Sequence, residues 1–438
     1  MDKVKSFTGD VKGKLDALSQ AGITWGGQLA KGLDRLKYGL HVEFSDETFF
    51  DVLGEGKNKA QQVHSPVPIT FEGRQDHEYI IHSTGRRGGF AFHLSRADVH
   101  IFVSVREDYM STPNIWVDIG SMSCWSPGYQ AVIEHVNDLV FLFGGKIRKV
   151  GLSEVHLCVD CIGLEIEELG LHDYSRWITR ANKFRSFADR VKFTGVGLDQ
   201  SEGPLGISDS PYDQVGYASE TGLSVGEGDI ALRVYDKTHE LRSHGAKQSV
   251  FASVWGQDQY NDVPVTRVEF QLRRPVLRQL GVSDLYNLQE KIGGIWEYCS
   301  DNWARFSAVA IDRKNRHQDR AVIHPWWQVI QSVDWLSYRP VVRKQPLPQK
   351  DQHQLIDMMV GCALNIAAID RCKPTIDHIT THLQAVIDTW CRIKSHETDK
   401  RGQSVLIAKY NQKVLECWPH GFGEVHGPQS AYLIGGQS

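Results

Sequence analysis

Apolar and polar residues alternate most regularly in two segments near the middle of the chain: Leu232-Arg233-Val234-Tyr235-Asp236-Lys237 and Thr266-Arg267-Val268-Glu269-Phe270-Gln271-Leu272-Arg273-Arg274. A period of two predicts half-buried strands. Leu232 and Val234 share one face of the first, leaving Arg233, Tyr235 and Lys237 on the other, while Arg267, Glu269, Gln271 and Arg273 line the polar face of the second. A third strand, Glu154-Val155-His156-Leu157-Cys158-Val159-Asp160, sets Glu154, His156, Cys158 and Asp160 on one side. Further strands are predicted over 38–44, over 89–94 and 99–105 as a hairpin through 95–98, and over 114–119.

Elsewhere the apolar positions step by three and four. Val4, Phe7, Val11, Leu15 and Leu18 predict an amphipathic helix in a docking or dimer arm over 1–36, and Ser126-Pro127 opens a helix that runs to Phe143 before Gly144-Gly145. Residues 53–77 read as a polar loop, and 173–190 as a basic amphipathic helix with Trp177, Phe184 and Phe187 in its apolar stripe and therefore in the core. A Gly-, Ser- and Asp-rich loop is expected over 195–212, and helices over 284–306, 355–368 and 376–393, with prolines at 340, 346 and 348 marking a linker and a loosely ordered tail from His420. The fold class expected is α+β, a central, largely antiparallel twisted sheet with flanking helices and a C-terminal helical region. Its domains are an arm over 1–36, a sheet domain over 37–324 and a helical region over 325–438.

A chain of 438 residues with 41% hydrophobic and 23% charged residues is an ordinary globular protein. No apolar run reaches the roughly 20 residues needed to span a bilayer, and the start Met1-Asp2-Lys3-Val4-Lys5 lacks the apolar core of a secretion signal, so a cytoplasmic protein without a membrane partner is expected. Eight cysteines with one close pair, Cys158 and Cys161, make no disulfide framework or zinc ribbon. The net charge of −4 excludes indiscriminate coating of nucleic acid, but local basic tracts remain, at 176–192 and at Arg313, Lys314, Arg316 and Arg320.

The polar faces of these strands hold the candidate chemistry. A phenol between two cations is a candidate nucleophile, and a carboxylate among guanidinium groups offers a metal ligand beside phosphate contacts. The same alternation also fits neighbouring solvated strands joined by cross-strand ion pairs. Three blocks in order resemble the replication initiation factor family (Rep_trans) of rolling-circle initiators and related conjugative relaxases. They are Val155-His156-Leu157-Cys158-Val159-Asp160, Leu232-Arg233-Val234-Tyr235-Asp236-Lys237 with Glu240 after it, and Thr266-Arg267-Val268-Glu269-Phe270-Gln271-Leu272. The resemblance covers roughly 37–310 and is firmest over 150–275.

What the resemblance implies is a tyrosine nickase. Tyr235 would be the nucleophile, assisted by Lys237 and Arg233. Asp160 and Glu269, with His156, would hold a divalent ion, Mg2+ or Mn2+, and Glu43 is an additional acidic candidate. The family's first block usually carries an aspartate where His156 stands, and an imidazole there favours manganese or a softer metal. Arg267, Arg273, Arg274, Lys183 and Arg180 are candidate DNA contacts. The expected product is a 5′-phosphotyrosyl link with a free 3′-hydroxyl. The expected partners are origin DNA, single-stranded or in a hairpin at the nick, with a host helicase and a second copy of the chain. The alternatives are a relaxase with the same chemistry and a non-catalytic DNA-binding regulator.

Overall fold

In the computed structural model the described residues are 11–343 apart from 46, 72–73, 107–108, 182, 194–213, 313–317 and 336–338, then 352–398 apart from 372 and 374, with 404 and 409. The loop expected over 195–212, the tail from His420, and Arg313, Lys314 and Arg316 lie outside them. The chain divides into two compact units, Met1–Lys344 and Gln345–Ser438.

The first unit is built on an antiparallel sheet of eleven strands in the order β2-β3-β4-β5-β6-β1-β7-β12-β11-β10-β9. These are β1 (Gln28–Glu43), β2 (Val67–Phe71), β3 (Arg74–Ile81), β4 (Phe92–Arg96), β5 (Val99–Val103), β6 (Ile115–Ile119), β7 (Lys146–Ile162), β9 (Phe184–Phe193), β10 (Gln214–Val225), β11 (Ile230–Asp236) and β12 (Val265–Arg273), while β8 (Trp177–Thr179) pairs separately with β13 (Ala304–Phe306). The helices are α1 (Val11–Gln20), α2 (Thr48–Gln62), α3 (Ser121–Ser123), α4 (Tyr129–Leu142), α5 (Lys237–Arg242), α6 (Gly245–Val254), α7 (Arg274–Gln279), α8 (Leu285–Glu297) and α9 (Pro325–Gln331). The second unit contains α10 (Gln352–Ile369) and α11 (Ile376–His396). The expected α+β class, a large antiparallel sheet with flanking and C-terminal helices, is what the chain forms. Among the described residues no helix is long and apolar enough to cross a membrane.

Alternation gives the sheet two unlike faces. Leu36, Tyr38, Leu40 and Val42 of β1, Val155, Leu157 and Val159 of β7, and Val268, Phe270 and Leu272 of β12 are buried on one face, where they join Trp296 of α8 and Trp327 of α9 in the main core. The other face is polar. The part of it that bears Ala30, Cys158 and Ile162 lies under α6, whose Phe251 joins Trp255 just beyond it and Trp125 in a smaller core. Gly32 belongs there because a Cβ would stand 3.0 Å from the Trp125 ring.

Several local expectations change. The N-terminal helix ends at Gln20, and residues 28–36 are strand, not arm. A bulge between Leu33 and Arg35 breaks the alternation in this part of β1 and hides its strand signal. Residues 48–62 form α2, which runs into the loop expected over 53–77, because Phe49, Leu53, Gly56 and Ala60 make one buried stripe. The expected basic helix over 173–190 is instead β8 and the start of β9. There the three- and four-residue spacing of aromatics coincides with alternation, and pairing with β13 and β10 decides the outcome. The strand predicted over 154–160 extends in both directions, from Lys146 to Ile162, as β7. α9, expected in a C-terminal region beginning at 325, belongs to the first unit, with Trp326 and Trp327 fully buried.

Candidate active site

Strand register assembles the site. Arg233 of β11 faces Glu269 of β12, and Tyr235 faces Arg267. Gln271 of β12 faces His156 of β7, which in turn faces Arg35 of β1. Paired residues share a face, so all of these side chains emerge on the polar side. Asp236 ends β11 and accepts a 2.9 Å hydrogen bond from the His239 N–H, capping α5 immediately after the tyrosine.

The Tyr235 hydroxyl donates to Glu269 Oε2 at 3.1 Å. Glu269 Oε1 accepts from Gln271 Nε2 at 2.7 Å and lies 3.0 Å from His156 Nδ1. The other imidazole nitrogen meets Glu154 Oε1 at 2.8 Å, and Lys37 lies 3.0 Å from Glu154 Oε2. Burial opposes a charged imidazole, but the hydrogen bonds to Glu154 and Glu269 outweigh it and raise His156 to about 9. Burial likewise opposes the Glu269 carboxylate, and His156 holds it well below the ordinary range nonetheless. Burial first, and then the Glu269 charge, push the Tyr235 phenol well above its usual value, so it is protonated at neutral pH.

These groups open into a cavity of about 520 Å³, lined also by Asp34, Arg35, Asp118, His100, Arg233, Lys237 and Phe187. Asp34 carries no signal in a strict alternating pattern. It sits at the bulge between Leu33 and Arg35, which lets two consecutive residues, Asp34 and Arg35, both line the cavity. Ligand atoms of Asp34, His156 and Glu269 lie within 4.8 Å of one another. Two carboxylates and an imidazole form a donor set suited to a divalent ion of the manganese or magnesium type. The acids around His156 already require positive charge at this point, and the imidazolium proton supplies it.

Asp160 is not part of this set. It shares the parity of His156 but is fully buried. Arg267 binds both its oxygens, at 2.5 and 2.7 Å, and the Trp255 indole N–H donates to Oδ2 at 2.9 Å. Arg267 also pairs with Asp34 and is itself fully buried, so this guanidinium is a structural counter-charge and not a surface DNA contact. Lys237 is buried, 2.5 Å from Glu240 and over the Phe251 ring, and it approaches the Tyr235 ring at 5.9 Å. Arg233 is exposed and makes no ion pair with a described residue. Arg273, Arg274, Lys183 and Arg180 are exposed and lie outside the cavity lining, with Lys183 paired to Glu227 at 2.5 Å. Glu43 pairs with Arg148, likewise outside it. Trp177 and Phe184 belong to the core or pack against it, but Phe187 is 38% exposed and lines the cavity.

No protein-family model matches the chain, and no curated protein does. Among solved structures it is similar to a rolling circle replication initiator protein from Geobacillus stearothermophilus, at 16% identity over 72% of this chain and 100% of that one, with a TM-score of 0.37. A likeness of that size carries no argument about the chemistry, which rests on the side chains described above.

Proposed function

We propose that the chain is a metal-dependent DNA nickase and strand transferase that opens one strand at a replication origin. The observation that carries this reading is the contact between the Tyr235 hydroxyl and Glu269, in a cavity where His156 and Asp34 complete a ligand set. The Tyr235 oxygen attacks phosphorus, the bond from phosphorus to the 3′ oxygen breaks, and a 5′-phosphotyrosyl ester forms. The leaving 3′ oxygen takes up a proton and can prime synthesis. Reversal by that hydroxyl reseals the strand and releases the tyrosine.

Each residue has a role that follows from its place. Glu269 orients the phenol through the 3.1 Å hydrogen bond and is the nearest acceptor for its proton. The phenol is held protonated by burial and by the Glu269 charge, so its ionisation needs added positive charge nearby. A divalent ion bound by Asp34, Glu269 and His156, with the imidazolium proton released to solvent, would supply that charge and polarise the scissile phosphate. Arg233, exposed on the same face as Tyr235, contacts the backbone of the bound strand. Lys237 packs behind the ring and fixes its position.

The test is nicking of a supercoiled plasmid carrying the origin, with the covalent adduct followed as a shift of labelled DNA on a denaturing protein gel. Tyr235→Phe is expected to lose both nicking and adduct while retaining DNA binding, and EDTA is expected to stop the parent protein. Nicking by Tyr235→Phe at the parental rate would remove the tyrosine from the reaction, and parental activity in EDTA would remove the ion.

A further inference from the structure

The three strands at the end of the sheet form a groove that leads to Tyr235. Two adjacent rows of paired residues cross β9, β10 and β11 on the polar face. One row reads Phe187–Gly222–Tyr235 and the next Arg185–Ser224–Arg233. Each outer strand thus contributes one ring and one guanidinium, and the middle strand contributes only a hydrogen atom and a hydroxymethyl group. Two strand spacings separate the walls, about 10 Å, which admits a single nucleic-acid strand and is too narrow for a duplex.

The floor is small for a physical reason. A Cβ on Gly222 would come within 2.5 Å of the Val234 carbonyl oxygen and 2.7 Å of the Tyr235 Cβ, so a side chain there would displace the nucleophile's own strand. The walls are also available. Phe187 is 38% exposed and borders the same cavity as Tyr235. Arg185 is two-thirds exposed, and its contact with Glu227 at 3.2 Å is a surface pair that a phosphate can replace at little cost. Glu227 is the acid beside this wall, and it also pairs with Lys183 at 2.5 Å. Arg233 completes the opposite wall without an ion pair to a described residue.

We infer that this groove is a single-stranded DNA subsite, in which Phe187 stacks on a base next to the phosphate attacked by Tyr235 while Arg185 and Arg233 hold the backbone on either side. A ring on an edge strand, two strands from the nucleophile, is at the distance of a neighbouring base and not of the reacting atoms. Phe187 is therefore a positioning residue. The subsite rests on the nickase reading for its purpose, but its ligand chemistry can be tested without any cutting.

The experiment compares two fluorescein-labelled probes by anisotropy in EDTA: a single-stranded thymidine oligomer and an abasic oligomer of the same length, which keeps the phosphates and lacks the bases. The parent is expected to prefer the thymidine probe by roughly tenfold. Phe187→Ala should lose that preference, Phe187→Trp should restore it, and Arg185→Ala should weaken both probes alike while reducing the salt dependence by about one phosphate contact. Phe187 is exposed at the sheet edge, so its removal leaves no core cavity. The groove assignment is overturned if Phe187→Ala keeps the preference, or if a duplex of the same length binds the parent as tightly as the single strand does. Tyr235→Phe separates the two readings. If it still nicks while Phe187→Ala loses the preference, the nickase reading fails and the groove stands; if it stops nicking while Phe187→Ala binds as the parent does, the groove fails and the nickase reading stands.

Discussion

Two histidines on the polar face of one sheet are driven in opposite directions. His156 on β7 is raised to about 9, whereas His93 on β4, four strands away, is lowered to about 4. Burial disfavours the charged ring in both places, so burial does not explain the difference. The neighbours do. His156 lies between the carboxylates of Glu154 and Glu269. His93 stacks on His82 with ring centroids 3.9 Å apart and on Phe102 at 4.5 Å, and its Nε2 lies 3.0 Å from His100 Nδ1. Burial first, then the positive charges of His82, His100 and Arg86, push it down. One half of the face is therefore a network of charge pairs centred on carboxylates beside the cavity, and the other is a stack of rings beside cations. Polar alternation is shared by both halves. What separates them is whether carboxylates or cations stand on the adjacent strands.

The largest break in this comparison should come from emptying one charge pair. Among the described residues, Arg267→Leu would leave the fully buried Asp160 side chain with the Trp255 N–H alone and would take from Asp34 its Arg267 partner as well. Removing one partner of a buried pair costs about 3–5 kcal/mol, so a loss of that size is expected in urea denaturation of the metal-free chain. Adding Asp160→Leu should recover part of it, since both charges are then gone. A loss below about 1 kcal/mol for the single variant would mean that the pair is not what closes this end of the face.

That pair also shows what the sequence can and cannot convey. Alternation correctly put His156, Asp160, Arg233, Tyr235, Arg267 and Glu269 on one face, and pairing in register then brought Tyr235, Glu269 and His156 together. It did not distinguish Asp160 from Glu269, because parity specifies a face and not a depth. Depth is set here by Phe251 and Trp255, nearly a hundred residues from Asp160, which cover Asp160 and its surroundings and stop short of the cavity that Glu269 lines. Asp34 was illegible for a different reason. A bulge turns two successive residues to the same side, and no pattern of period two or 3.6 registers that. Phe187 had the spacing of a helix stripe, and only the strand pairing of β9 with β10 shows that its ring faces outward.

A smaller change sharpens the account of His156. Glu154→Gln keeps the hydrogen-bonding shape but removes one of the two anions that hold the imidazolium. The midpoint of His156, followed by imidazole proton NMR in EDTA, should fall by about 1–2 units, the worth of one hydrogen bond to a charged group. The midpoint of His93 should not move, because its neighbours are unchanged. An unmoved His156 would place the whole shift on Glu269, and the Lys37–Glu154 pair would then be no more than a local surface contact.

The smallest effect is on the ring stack, and its sign follows from the lowered value. A histidine whose folded pKa lies below its unfolded value of about 6.5 stabilises the fold fully above that pH and ceases to do so as pH falls through the folded value. For His93 the window is therefore from 6.5 down to about 4. His82 and the buried His324 are lowered too, so the parent chain should lose stability in this range by several contributions at once. Replacing His93 with glutamine isolates one of them. The ring is half open to solvent, which discounts its share to about 1 kcal/mol. His93→Gln should be less stable than the parent at pH 7, where the ring stack is lost, and the gap should narrow by that amount at pH 4, where the parent must charge the ring and the variant has none to charge. Equal gaps at the two pH values would show that His93 takes up its proton as readily in the folded chain as in the unfolded one, and the contrast with His156 would then rest on the carboxylates alone.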